Sequence, residues 1–307
     1  MTNEQVPPQK PGVATRRSML RGLGFTPLVY AATPAIARSE SARVTAGQLI
    51  QRIKDHAGGS WSGSTVDTIK AGDPNTVATG VATTFLDTYS VLERAAQAGK
   101  NLVVTHEPTF YNHQDETKWL EDDPVFLQKK AFIGKHKMVV WRFHDHWHAR
   151  GPSPDGILVG MISALGWKTY QDPRDPERFV LPETRLDTLA GAIQRRVGIR
   201  ALRVVGKPDM TVTQIGFLSG ASGREQQIAM LEKENIEILV AGEAREWETV
   251  EYARDAAAEG RRKGLILLGH EASEEAGMQY CATWLKTFIP EVPIEFIKAG
   301  EPFWRPA

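Results

Sequence analysis

The chain has 307 residues, 41% hydrophobic and 24% charged, with 37 basic and 37 acidic side chains and a formal net charge of +0. That composition describes a globular chain with enough apolar material for a full core, built as one large domain or two ordinary ones. Neutrality removes the basic field that holds a nucleic-acid backbone or an anionic membrane, so no nucleic-acid partner is expected; a single cysteine, Cys281, excludes an intramolecular disulfide.

The opening residues read as a processing signal. Arg16 and Arg17 form a twin-arginine pair, a modestly apolar segment runs from Gly22 to Ile36, and Ala35-Ile36-Ala37 is a small-x-small cleavage pattern. Residues 1–37 are therefore expected to be a twin-arginine signal peptide, and the mature protein to be periplasmic or secreted. Cleavage removes four of the 37 basic and one of the 37 acidic residues, leaving a net charge of −3. The apolar segment is too short and too interrupted by Gly and Pro to span a bilayer. No later run approaches that length, so the mature form is expected to have no membrane partner.

After the signal, helix-like and strand-like segments alternate. Residues 44–58 have helical spacing, with Leu49, Ile50 and Ile53 on one face. Residues 80–85 form a short β-like run, 88–99 a helix stopped at Gly99, and 101–108 a buried-type strand ending at Pro108. A helix over 123–136, a strand over 138–146 and a helix over 156–167 follow. Residues 170–186, rich in Pro and charge, read as a linker or lobe boundary between a first α/β lobe (42–170) and a second (186–307). The second lobe repeats the rhythm: helices over 188–198, 224–235, 246–260 and 273–288, and strands over 201–206, 213–218, 236–242, 262–270 and 293–300. Strands separated by helices of this length imply an α/β fold with mostly parallel sheet pairing.

Functional groups of open α/β folds collect where strands end. Three strand ends here carry metal-ligand residue types: His106-Glu107, then His144, His146 and His148 within five residues, then His270 with Glu274 four residues on. On a continuing strand the three histidines would alternate to one side. A helix starting after Gly269 would put His270 and Glu274 on one face. Imidazole and carboxylate together suit zinc, manganese or iron. The turn Ser219 to Gly223 precedes a helix and could offer backbone N–H groups to an anion.

The segments NLVVTHEPTF, FHDHWHARGPSPDGILVGMISALGW, GFLSGASG, ILVAGEAREWETVEYARDAAAEG and LILLGHEASEEAG, in that order, resemble the NIF-three-like family. These are also called dinuclear metal centre hexameric proteins, some catalogued as type-2 GTP cyclohydrolase-like. The resemblance implies a two-lobed fold with mixed sheets flanked by helices, a pair of divalent ions in the cleft, and a homo-oligomer, a hexameric ring. His106, His270 and Glu274 match family ligands directly. Glu107 stands where the family has a second histidine, and His148 where its middle element has an aspartate. Trp247 stands where the family often has another histidine. The implied ligand set is His106, Glu107, His148, His270 and Glu274, with His144 lining the cleft and His146 behind it or as an alternative ligand.

Two divalent ions outweigh two carboxylates, and a bridging hydroxide would meet the surplus charge. The expectation is a dinuclear-metal-dependent hydrolase of a small-molecule amide, phosphoester or ring C–N bond, with Asp145 or His113 as proton shuttle. The same ligands could instead store or deliver metal without turnover. No His-rich or Cys-rich tail is present, which favours the enzyme.

Overall fold

The computed structural model describes residues 43–61, 63–149, 154–304 and 306; the twin-arginine pair and the Ala35-Ile36-Ala37 motif lie outside them. Two mixed sheets organise the chain. The first has the order Ile69–Ala71, Val139–Arg142, Leu102–Thr105, Val81–Thr84, Ile294–Phe296. Its pairings are parallel except at the Ile69–Ala71 edge. The second has the order Gln171–Asp172, Asp175–Arg185, Thr211–Leu218, Ile238–Ala241, Gly264–Leu267, Arg203–Val205. Its centre is parallel and its edges antiparallel. The last strand of the chain thus returns to the first sheet.

The inner strands of both sheets are short, apolar and buried throughout, because helices cover both faces. Helices Ala46–Ala57, Gly156–Leu165, Leu186–Val197 and His270–Leu285 share one core with facing residues of both sheets. Tyr89–Gln97 and Pro124–Lys135 cover the outer face of the first sheet, Arg224–Glu232 and Glu251–Ala258 that of the second. Local signals set the helix ends. Thr45 and Gln48 form a reciprocal capping box, and Gly166 and Gly198 close their helices in the left-handed conformation. No described helix is long and apolar enough to cross a membrane.

Two segments differ from the sequence expectation. Residues 170–186 are not a linker but contain the edge strand pair Gln171–Asp172 and Asp175–Arg185. Phe179 and Leu181 anchor the longer strand in the core, and Pro182 falls where its register shifts, so a missing N–H costs no regular ladder bond. The strand expected over 138–146 stops at Arg142. The buried Asp67 carboxylate takes the backbone N–H groups of His144, Asp145 and His146, and the chain turns into the short helix Asp145–His148.

Helices Gly156–Leu165 and His270–Leu285 meet backbone to backbone. A Cβ on Gly160 would lie 2.3 Å from the Ala276 carbonyl oxygen, and one on Gly277 2.5 Å from Ile157 Cα. Gly160→Ala is therefore expected to overpack the pair and lower stability by roughly 1–3 kcal/mol. Denaturant unfolding reads this directly; an unchanged midpoint would show that the helices part freely.

Candidate metal centre

Each functional side chain sits where a buried strand runs out. His106 and Glu107 follow Leu102–Thr105, His144 follows Val139–Arg142, and His270 opens the helix that follows Gly264–Leu267. The turn imposed by Asp67 decides which of the clustered histidines reach the cleft. His144 and His148 are four residues apart on one helical face, with ring centroids 4.9 Å apart. His146 turns the other way. Its ring stacks on Trp61 at 3.5 Å and hydrogen-bonds Asp67 at 2.7 Å, so it stands outside the cluster.

Four imidazoles and two carboxylates converge. Glu274 Oε2 lies 3.3 Å from His106 Nε2 and 3.2 Å from His270 Nε2, and its Oε1 is 4.0 Å from His148 Nε2. Glu107 Oε1 lies 3.4 Å from His270 Nε2 and 3.6 Å from His144 Nε2. Ligand atoms of His106, His144 and His148 fall within 4.8 Å of one another, as do those of His106, Glu107 and Glu274. His106 belongs to both groups. His106 Nε2 and Glu274 Oε2 are buried and take no hydrogen bond among the described residues. Two buried lone-pair atoms facing each other at 3.3 Å with no proton to share are a pair that a cation would satisfy.

The outer side of each ring is also held. Nδ1 faces the Phe143 carbonyl in His106 (3.2 Å), Asp145 in His144 (2.9 Å), Asp155 in His148 (2.8 Å) and Glu243 in His270 (3.5 Å). An acceptor opposite Nδ1 keeps the proton there and turns Nε2 inward as a donor atom for a metal. The donor set of nitrogen and oxygen suits a borderline divalent ion, so the residues present fit one.

Charge follows the same geometry. Burial opposes ionisation of Glu274, but the neighbouring His106 and His270 override it and hold the carboxyl far below its usual range. Burial also works against Glu107, and His270, His106 and His144 likewise bring it down. Burial disfavours a charged His270, yet Glu107, Glu243 and Glu274 surround it and push it up to about 12. His144 goes the other way, to about 4, through burial and the adjacent His106.

Of the two expected proton shuttles, Asp145 is committed. Its Oδ1 holds His144, and its Oδ2 accepts from Thr65 Oγ1 at 2.8 Å and Val66 N at 3.1 Å. Although partial burial opposes it, hydrogen bonds from His144 and Thr65 bring its carboxyl down to about 2. His113 is exposed at the rim, its ring 5.8 Å from that of His144. Trp247, at 75% exposure, points to solvent. The glycine turn serves close approach: a Cβ on Gly220, at φ 56°, would meet Glu274 Oε1 at 2.2 Å, and its N–H is taken by Ser273.

Sequence reasoning missed Arg142, Asp67, Asp155 and Glu243. Arg142 is fully buried and donates to the His106 carbonyl at 3.0 Å, the His113 carbonyl at 2.5 Å and Glu107 Oε2 at 3.2 Å. Asp155 had a signal as the N-cap of an apolar helix, which it is. Its second oxygen, on His148, was not readable from that signal. Asp67 and Glu243 act across the fold and carry no local signature.

The Duf34/NIF3 (NGG1p interacting factor 3) family model matches residues 177–302, which include the glycine turn, His270 and Glu274. No curated protein matches significantly. A Bacillus cereus protein related to NIF3 is similar at a TM-score of 0.68 and 15% identity, covering 85% of this chain and 99% of that one. Staphylococcus aureus protein SA1388 is similar at 0.64 and 16%, covering 85% and 99%. Reduced HcgD from Methanocaldococcus jannaschii is similar at 0.58 and 13%, covering 82% and 97%. Identities this low carry the fold alone, and the family pattern is matched in sequence across the second sheet and the helix that bears His270 and Glu274. Residues 177–302 thus carry the Duf34/NIF3 pattern in sequence, and the chain has the fold of NIF3-related proteins.

Proposed function

We propose that the protein is a metal-dependent hydrolase of a small molecule, with two divalent ions in the cleft. One observation carries the reading: four Nε2 atoms and two carboxylates face inward while every Nδ1 is held from outside. His106, His144 and His148 would frame one ion position and His106, Glu107 and Glu274 the other, with His270 adding to the second set through its place beside Glu274. A bound divalent ion polarises the scissile bond and acidifies water. The chain's own residues do the remaining work. Arg142 occupies Glu107 Oε2 and leaves Oε1 for the cleft, Asp145 positions His144, and His113 stands exposed at the rim. The test is metal content of the native protein, then turnover of amide, phosphoester and ring C–N substrates before and after chelation. A fully loaded protein that turns over none of them would sink the enzyme reading in favour of metal storage or delivery.

Metal binding should release protons. The metal-free site keeps His270 protonated, its pKa pushed up to about 12 by the three carboxylates despite burial. A metal must displace that proton, so affinity should rise about tenfold per pH unit for each proton released, between about pH 6 and 9. Calorimetry in buffers of different ionisation enthalpy counts the protons; zero release would contradict the assignment of His270.

Export and ring assembly belong to the same proposal. Arg16→Lys with Arg17→Lys should strand the precursor in the cytoplasm, read by fractionation. Normal delivery of that variant would end the twin-arginine reading.

A further inference from the structure

We propose that residues 108–117 form a flap at the rim of the cleft, and that the buried carboxyl of Asp87 is the positioning group that sets how readily the flap lifts. The flap begins one residue after Glu107 and carries the exposed His113. It is built as a unit. The Asn112 side chain donates to the Phe110 and Glu116 carbonyls and accepts from Glu116 N. Tyr111 and Asp115 hold φ of 64° and 56°, a conformation that side chains resist. Three long side chains fasten the flap to the body. Lys129 Nζ donates to the Thr109 carbonyl at 2.7 Å, Arg142 Nη1 donates to the His113 carbonyl at 2.5 Å, and Lys70 pairs with Asp115 at 3.1 Å.

Asp87 stands at the fastening of Thr109. It is fully buried, and neither carboxyl oxygen has a hydrogen-bond partner among the described residues. The ammonium that faces it, Lys129 Nζ, is 3.6 Å away and donates to the Thr109 carbonyl instead. Lys129 and Asp115 are the charged groups in its field, and the Tyr111 phenol on the flap is raised by burial, Asp123 and Asp87. An ionised carboxyl held dry without hydrogen bonds is costly, and lifting the flap relieves that cost by admitting water. A protonated carboxyl carries far less of it. Burial accordingly raises Asp87 from the ordinary 3.8 to about 6, against the pull of Lys129 and Thr109 and with a smaller push from Asp115. Closure is therefore most stable below pH 3.8, and that stability is lost as the pH rises through about 6. Lifting parts the His113 carbonyl from Arg142 and loosens the chain beside Glu107, which opens the cleft as the pH rises. The flap is independent of the metal reading; its effect on the cleft rests on it.

Thr109→Cys converts a buried side chain of the flap into a probe of lifting, because the native cysteine, Cys281, is itself buried in the core. The probe is alkylated with iodoacetamide in metal-free protein, and its rate is divided by that of a free peptide thiol at the same pH. That ratio follows the lifting equilibrium and should rise about tenfold between about pH 5 and 8, with half of the rise near pH 6. Asp87→Asn in the same background keeps the shape of the protonated acid and should make the ratio independent of pH. In the wild type, carbon-13 NMR should show the Asp87 carboxyl titrating near pH 6. A flat ratio with Asp87 present, an equal rise in Asp87→Asn, or an Asp87 that titrates like an exposed carboxyl overturns the proposal. Bound Mn²⁺ fixes Glu107 and should slow the alkylation at neutral pH. A rate unchanged by bound Mn²⁺ overturns the link to the cleft, while a protein that takes up no Mn²⁺ counts against the metal centre and the metal-free ratios alone decide the flap.

Discussion

His106→Ala should cost the protein nearly all of its metal. His106 is fully buried and is the one residue shared by both candidate ligand groups, so its loss reaches both ion positions. Replacing an outer-sphere partner typically lowers metal affinity 10–100-fold, and removing a ligand common to both groups should exceed ~100-fold. Mass spectrometry of metal content, with circular dichroism to confirm folding, reads the result. His146→Ala is the internal control. Its ring is turned to Trp61 and Asp67, so metal content should stay near the wild-type level even where stability falls. Full occupancy in His106→Ala, or equal losses in the two variants, would remove the cleft as the metal site.

Glu107→His should destabilise the fold more than a simple exchange of ligands suggests. The resemblance implies that a histidine is at home here, but in this chain Glu107 Oε2 answers the fully buried Arg142 guanidinium at 3.2 Å. Arg142 keeps its two carbonyl acceptors, yet it loses the nearest countercharge. Breaking a buried pair costs about 3–5 kcal/mol, which corresponds to a fall in melting temperature on the order of 10 °C for a chain of this size. His148→Asp meets a parallel problem, because Asp155 lies 2.8 Å from His148 Nδ1 and would then face another carboxylate. The double variant restores four imidazoles and two carboxylates, so metal content should recover in part while the melting temperature does not. Recovery of both together would show that donor count alone governs the site and that Arg142 and Asp155 are incidental.

Reading periodicity found most of the elements because each is bounded by local chemistry. The Thr45–Gln48 box, Asp123 and Asp155 as N-caps, and the glycines at 166 and 198 act within a few residues of the helices they limit. The linker reading of segment 170–186 fails for the converse reason. Its prolines and charges look like a linker, and only the neighbouring strand Thr211–Leu218 makes it a sheet edge. The strand through His144 was read too long because Asp67, 77 residues earlier in sequence, ends it. That one carboxylate also reverses the side on which His146 points.

By itself the sequence determined which residue types stand at the strand ends, that His270 and Glu274 share a helix face, and that the fold is α/β, because spacing and caps are short-range properties of the chain. Only the tertiary structure decided that His144 joins His106 and His148, that Asp145 is a support for His144, and that Arg142 ties Glu107 to the loop at Asp115. Apart from Asp145 beside His144, those outcomes depend on hydrogen bonds and ion pairs between residues far apart in sequence, such as Arg142 with Glu107 and His144 with Asp67. No local pattern encodes which buried charge will find which partner; burial forces every such group to be answered, and the packing of the two sheets selects by what.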